Sequence, residues 1–169
     1  MAVNNIRIVD VAGYNVIPTR VYQTAASATA IPAGEFVMRD AAGGQNAALI
    51  TDNYGVVGTS LPLLGLTARA STHTAAAAGT VEVYLPLSGI TYEAAATTAA
   101  NVDTQAEIDA LAGNRVLLDV IAAVTTVDED LAEAVTNGIV ITGGDPVRRT
   151  LTFTVRHGVT ELGDMDITA

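Results

Sequence analysis

Two histidines, His73 and His157, are the only imidazoles in this chain of 169 residues, and a nucleophilic site would need one of them beside a hydroxyl. The sequence has no cysteine, and all eight of its basic residues are arginine. Thiolate catalysis, Cys-type zinc sites, Schiff bases and a phosphate loop ending in Gly-Lys-Ser/Thr are therefore outside its chemistry. Its four serines, Ser27, Ser60, Ser71 and Ser88, lie outside any G-x-S-x-G elbow. Two distant histidines do not form a zinc pattern. The run Asp128, Glu129, Asp130 and Glu133 could attract calcium, but it lacks the glycine and the distal glutamate of an EF-hand loop. Carboxylates at a helix start, favoured there by the helix dipole, account for the run more simply. Eighteen acidic residues always offer a carboxylate pair, yet none is singled out, and sugar platforms are scarce with five Tyr, two Phe and no Trp. The expectation is a protein that is not an enzyme and holds no cofactor or metal.

Composition narrows the partners. A net charge of -10 repels phosphate backbones, so nucleic acid is not expected. No apolar run approaches the roughly 18 residues of a membrane span. The start "MAVNNIRIVD" lacks the basic region and apolar run of a secretory leader. Half the residues are hydrophobic, mostly Ala and Val, and 4% are aromatic. Such a chain fills a core with small and branched side chains on strands, and its length suits one domain. The absence of lysine fits either a saline setting or a GC-rich genome.

Residues 1–34 read as an extended N-terminal arm, because Pro18 and Pro32 hold their surroundings out of the helical region. Within it "IRIVDV" has the form of a strand that could add to a partner's sheet edge, or serve as an edge strand of its own sheet. Ile6, Arg7, Ile8, Val9, Ile17, Arg20 and Tyr22 are the expected contact residues. Residues 35–169 read as a single β-rich domain. "EFVMRD" and "AALIT" predict a hairpin about Gly43–Gln45, and "GVVGTS" and "LLGLTARA" predict further strands. "TVEVYL" alternates, with Val81, Val83 and Leu85 on one face, and "ITYEA" is expected to pair back with it across Ser88-Gly89. A helix is expected over 104–112, with Thr104 or Asp103 as N-cap, Glu107 completing a capping box and Gly113 as terminator. "RVLLDVIAAV" predicts a strand. Residues 128–136 predict a second helix or, equally, an acidic loop. "GIVITGGDP" and "TLTFTVRHG" predict the last strands, and "VTELGDMDITA" an exposed acidic tail. The fold class is mainly β, an antiparallel barrel or sandwich with one or two short helices.

The arm, followed by "IPAGEFVMRDAAGG", "GLTARASTHTAAAAGTVEVYLPLSGITYEAAATTAANVDT" and a capped helix, resembles the capsid decoration, or cement, proteins of tailed bacteriophages, over residues 31–122. The resemblance implies a structural virion protein, made in the host cytoplasm, that binds the outer surface of the capsid and stabilises the shell. It implies two partners, the major capsid protein and further copies of itself in a homotrimer, with the arm contacting the shell. Another virion structural protein (tail tube, head completion or fibre base) is the alternative, and a non-viral β-rich binding module a more distant one.

Overall fold

The structure, a computed structural model, describes residues 6–13, 15–41, 46–122 and 124–160. It is mainly β, with two antiparallel sheets in a sandwich-like arrangement. The strands in chain order are β1 (Arg7–Val11), β2 (Thr19–Thr24), β3 (Phe36–Arg39), β4 (Ala47–Leu49), β5 (Leu63–Thr67) and β6 (Gly79–Tyr84). They continue with β7 (Ile90–Ala95), β8 (Arg115–Ile121), β9 (Val124–Asp128), β10 (Ile139–Asp145) and β11 (Thr150–Val155). Among the described residues one α-helix, α1 (Gln105–Leu111), and two 3-10 turns, Ala99–Val102 and His157–Val159, complete the set. The larger sheet runs β1-β7-β11-β10-β8-β9, and the smaller runs β2-β6-β5-β3-β4.

The few aromatic side chains are concentrated where the sheets meet. Phe36 from β3 packs edge-on against Tyr92 of β7 at 5.0 Å between ring centroids, and Tyr92 stacks on Phe153 of β11 at 5.8 Å. Such pairs contribute about 0.5–1.5 kcal/mol beyond the area they bury. The Tyr92 hydroxyl is buried with no hydrogen-bond partner among the described residues. Branched residues, among them Leu63, Ile90, Leu118, Ile139 and Leu151, fill the rest of this core. The smaller sheet also buries its other face, where Val37, Leu64, Val81 and Val83 form a second cluster with Tyr22 and Ile31. The alternation of "TVEVYL" is realised in this way, with Val81 and Val83 inside and Thr80, Glu82 and Tyr84 half-buried. Gly65, at φ +146°, sits where a Cβ would collide with the Tyr84 carbonyl, so β5 and β6 approach closely only with glycine there.

Both sheets curl. In the larger one a parallel bridge from Val127 of β9 to Ala96, just past β7, closes the curl over β7, β11, β10, β8 and β9, leaving β1 outside. In the smaller one Gln23 of β2 bridges Asn46 beside β4.

Several expectations change in physical detail. The β3–β4 hairpin forms, with its tip at Gly43–Gln45 outside the described residues. β7 pairs with β1 and β11, not with β6, so Pro86–Gly89 carries the chain from one sheet to the other. "GVVGTS" is a turn, whose Gly55 and Val56 N–H groups donate to the Ser60 hydroxyl at 3.1 and 3.0 Å. It is held against β8 by reciprocal Tyr54–Leu118 backbone bonds of 2.8 Å. Residues 129–136 form an acidic loop rather than a second helix. Of the expected tail, Val159 and Thr160 are buried, and residues 161–169 lie outside the described residues. The segment expected as an arm supplies β1 to the larger sheet and β2 to the smaller, each as an edge strand.

Candidate interaction surface

The seven residues expected to make contacts divide between these two edges. Ile6 is buried in the main core, and its N–H donates to the Gly34 carbonyl at 2.9 Å. Arg7 turns its guanidinium onto Glu93, with Nε donating to Oε2 at 2.7 Å. Glu93 is only 2% exposed and also takes hydrogen bonds from Arg148 and from the Thr150 hydroxyl. A buried carboxylate needs such partners, because leaving one ionised and unpaired costs several kcal/mol. Ile8 and Ile17 are half-buried. Arg20 lies over the ring of Tyr22 at 5.0 Å, with the arginine exposed and the tyrosine buried. Val9 is exposed at a bulge in the β1–β7 register, between Ile8 and Asp10. The Asp10 carboxylate accepts the Val11 N–H at 2.8 Å. A bulge and a charged side chain that occupies a backbone N–H blunt an exposed edge, so strand addition along β1 meets resistance.

Four of the seven are brought together. Ile6, Arg7, Ile8 and Ile17 line a groove of about 410 Å³ that runs between β1 and the face of β5 and β6, where Leu66, Thr67 and Tyr84 form its other wall. Val9, Arg20 and Tyr22 lie outside it. Sequence reading overlooked two residues of this region. Val16 is 79% exposed on the groove's lip, and Val21 is 59% exposed on β2. The signal for Val21 was available: alternation in "TRVYQT" places it opposite the inward Tyr22 and Thr24. Among the described residues the large apolar side chains left exposed are Val9, Val16, Val21, Ile121, Val135 and Val147. Half of them fall in the short stretch from β1 to β2.

The groups considered for catalysis do other work. Ser27, Ser60 and Ser71 each accept backbone N–H bonds in turns. His73 is buried, with Nε2 2.9 Å from the Thr29 carbonyl, so Nε2 carries the proton. His157 is exposed in the last 3-10 turn. Among the described residues no serine hydroxyl is hydrogen-bonded to a histidine. The acidic run does sit at a helical N-terminus, but at one formed by a segment about thirty residues earlier. Glu129, buried, accepts the N–H groups of Thr97 and Thr98 at 2.9 and 2.8 Å, and Asp130 accepts from the Thr98 hydroxyl at 2.6 Å and from Asn101. Burial raises the Glu129 carboxyl above its ordinary range, against the pull of those N–H groups. Asp128 is raised too, by burial first and then by the neighbouring Asp119 and Asp130. No described helix is long and apolar enough to cross a membrane.

Compared with protein-family models, with characterised proteins and with solved structures, the chain matches none.

Proposed function

We propose that this is a binding rather than a catalytic protein, a structural component that covers the outer face of a bacteriophage capsid and stabilises the shell, acting as a homotrimer. The observation that carries the reading is the apolar surface of the N-terminal segment. Val16 is exposed on the lip of a groove walled by Ile6, Ile8, Ile17 and Leu66, and Val9 and Val21 are exposed on β1 and β2, the strands that its segment connects. An apolar groove with an exposed apolar lip is the kind of surface that marks an interaction site. The acidic balance favours an outer face over a lumen filled with nucleic acid. The resemblance over residues 31–122 supplies the partner, the major capsid protein.

Stoichiometry in gradient-purified virus particles from the source tests the role. The 17.3 kDa chain is expected at near-equal abundance with the major capsid protein. Complete absence from particles would overturn the reading. The surface is then mapped with V16D/V21D, which changes two exposed side chains and leaves the core untouched. The double variant is expected to keep its circular dichroism and to lose attachment. Saturation of capsids equal to wild type would remove Val16 and Val21 from the interface.

A further inference from the structure

We infer that β1 is an exchangeable strand, and that the slot beside β7 takes β1 from a second copy of this chain. The larger sheet closes its curl through the Val127–Ala96 bridge without β1, which is appended to the outside of β7. β1 pairs with that one strand, through a bulged register of Arg7–Glu93, Ile8–Tyr92, Asp10–Thr91 and Val11–Ile90. On its other side a groove lies between it and β5 and β6, and its packing on the shared core comes from Ile8, Val11 and the preceding Ile6. Strands with few packing neighbours open at lower free energy than the fold as a whole.

The slot nevertheless requires an occupant of particular chemistry. Ile6 fills a place in the main core, and Arg7 neutralises a carboxylate that is 2% exposed. An empty slot would leave Glu93 with Arg148 as its remaining arginine partner and would open the core where Ile6 sits. The segment that satisfies both demands in the right register is another β1. The connection to β2 permits the exchange. Ala12, Gly13, Asn15 and Val16 are exposed, Gly13 takes a left-handed φ of +87°, and β2 belongs to the other sheet. A chain segment that opens out spans at most about 3.3–3.6 Å per residue, enough to redirect β1 toward a neighbour. Passing β1 head-to-tail makes a heterologous contact, which closes into a ring when the rotation allows, as a trimer needs. The inference concerns this chain alone and stands or falls independently of the capsid reading.

Because the sequence has no cysteine, two introduced thiols report without background. D10C and T91C, single variants at paired positions of β1 and β7, carry tags of different size and are unfolded, mixed and refolded together. A short bismaleimide then joins thiols that face each other. The expected result is a covalent heterodimer joining the two tags as the main product. The D10C/T91C double variant, treated alone, serves as the control for geometry. If it cross-links only within one chain and the mixed single variants give no heterodimer, β1 stays at home and the inference is overturned. Absence of any cross-link in either sample also overturns it, since β1 would then not lie beside β7.

Discussion

Glu35 holds a carboxyl group at 2% exposure at the start of β3, where the Thr125 N–H of β9 donates to it at 3.2 Å. It thus ties the smaller sheet to the larger. Burial pushes its pKa above the ordinary carboxylate range, and the Thr125 hydrogen bonds pull it back only in part. A group whose folded pKa is raised binds its proton more tightly in the native state. Its favourable contribution is complete below the unfolded pKa and is lost as pH rises through the folded value. Glu35→Gln keeps an acceptor for the Thr125 N–H and removes the titration. Denaturant unfolding at about pH 4 and about pH 8 should show wild type losing stability relative to the variant as pH rises, by about 1.4 kcal/mol for each unit of displaced pKa. Parallel behaviour of the two proteins across that interval would mean that Glu35 titrates as it does in the unfolded chain.

Among the elements, α1 is the one whose ends were written locally. Thr104 accepts the Glu107 N–H, and the Glu107 carboxylate receives the Thr104 N–H at 3.0 Å, while Gly113 turns out of the helix at φ +93°. The Thr104 hydroxyl, which also donates to that carboxylate at 2.8 Å, and then the Thr104 N–H hold the exposed Glu107 carboxyl below its ordinary range. Thr104→Ala should cost about 1 kcal/mol, read as a lowered midpoint in thermal or denaturant unfolding. An unchanged midpoint would place the effective cap at Asp103. The same locality explains what could be read from sequence. Strands with period-two patterns, β6 and β11 above all, were legible because their faces alternate. Partner choice was not legible: β7 follows β6 after a short turn yet joins the other sheet, because Tyr92 fits against Phe36 and Phe153 in the shared core. The acidic run was misread for a similar reason, since Glu129 caps a turn about thirty residues away in sequence. Within the candidate surface, Ile6, Arg7, Ile8 and Ile17 were found from the apolar, proline-marked segment. Leu66, Thr67 and Tyr84 could not be, because only folding brings β5 and β6 beneath β1.

For the whole molecule, ten net negative charges on a chain of this size oppose compaction at neutral pH. The eight arginines offset part of this where they reach acids, as Arg7 and Arg148 do at Glu93 and Arg148 does at Asp145. The remaining repulsion acts across the surface, where it is screened by salt, and the Debye length falls from about 30 Å at 0.01 M to about 8 Å at 0.15 M. Raising ionic strength over that interval at pH 7 should therefore raise the melting temperature by a few degrees. Close to the isoelectric point of about 4.3 the same salt step should change it little, since net repulsion has vanished. Protonation of Glu35, Glu129 and Asp128, all raised chiefly by burial, works in the same direction as pH falls. Their contribution is distinguishable because burial shields it from salt. A calorimetric series at two salt concentrations from pH 8 to pH 5 separates the two. The salt-dependent part should shrink steadily toward acid, while a salt-independent gain in stability remains. If the two salt curves coincide at pH 7, surface repulsion is not what limits this fold, and the pH dependence rests on the buried carboxyls alone.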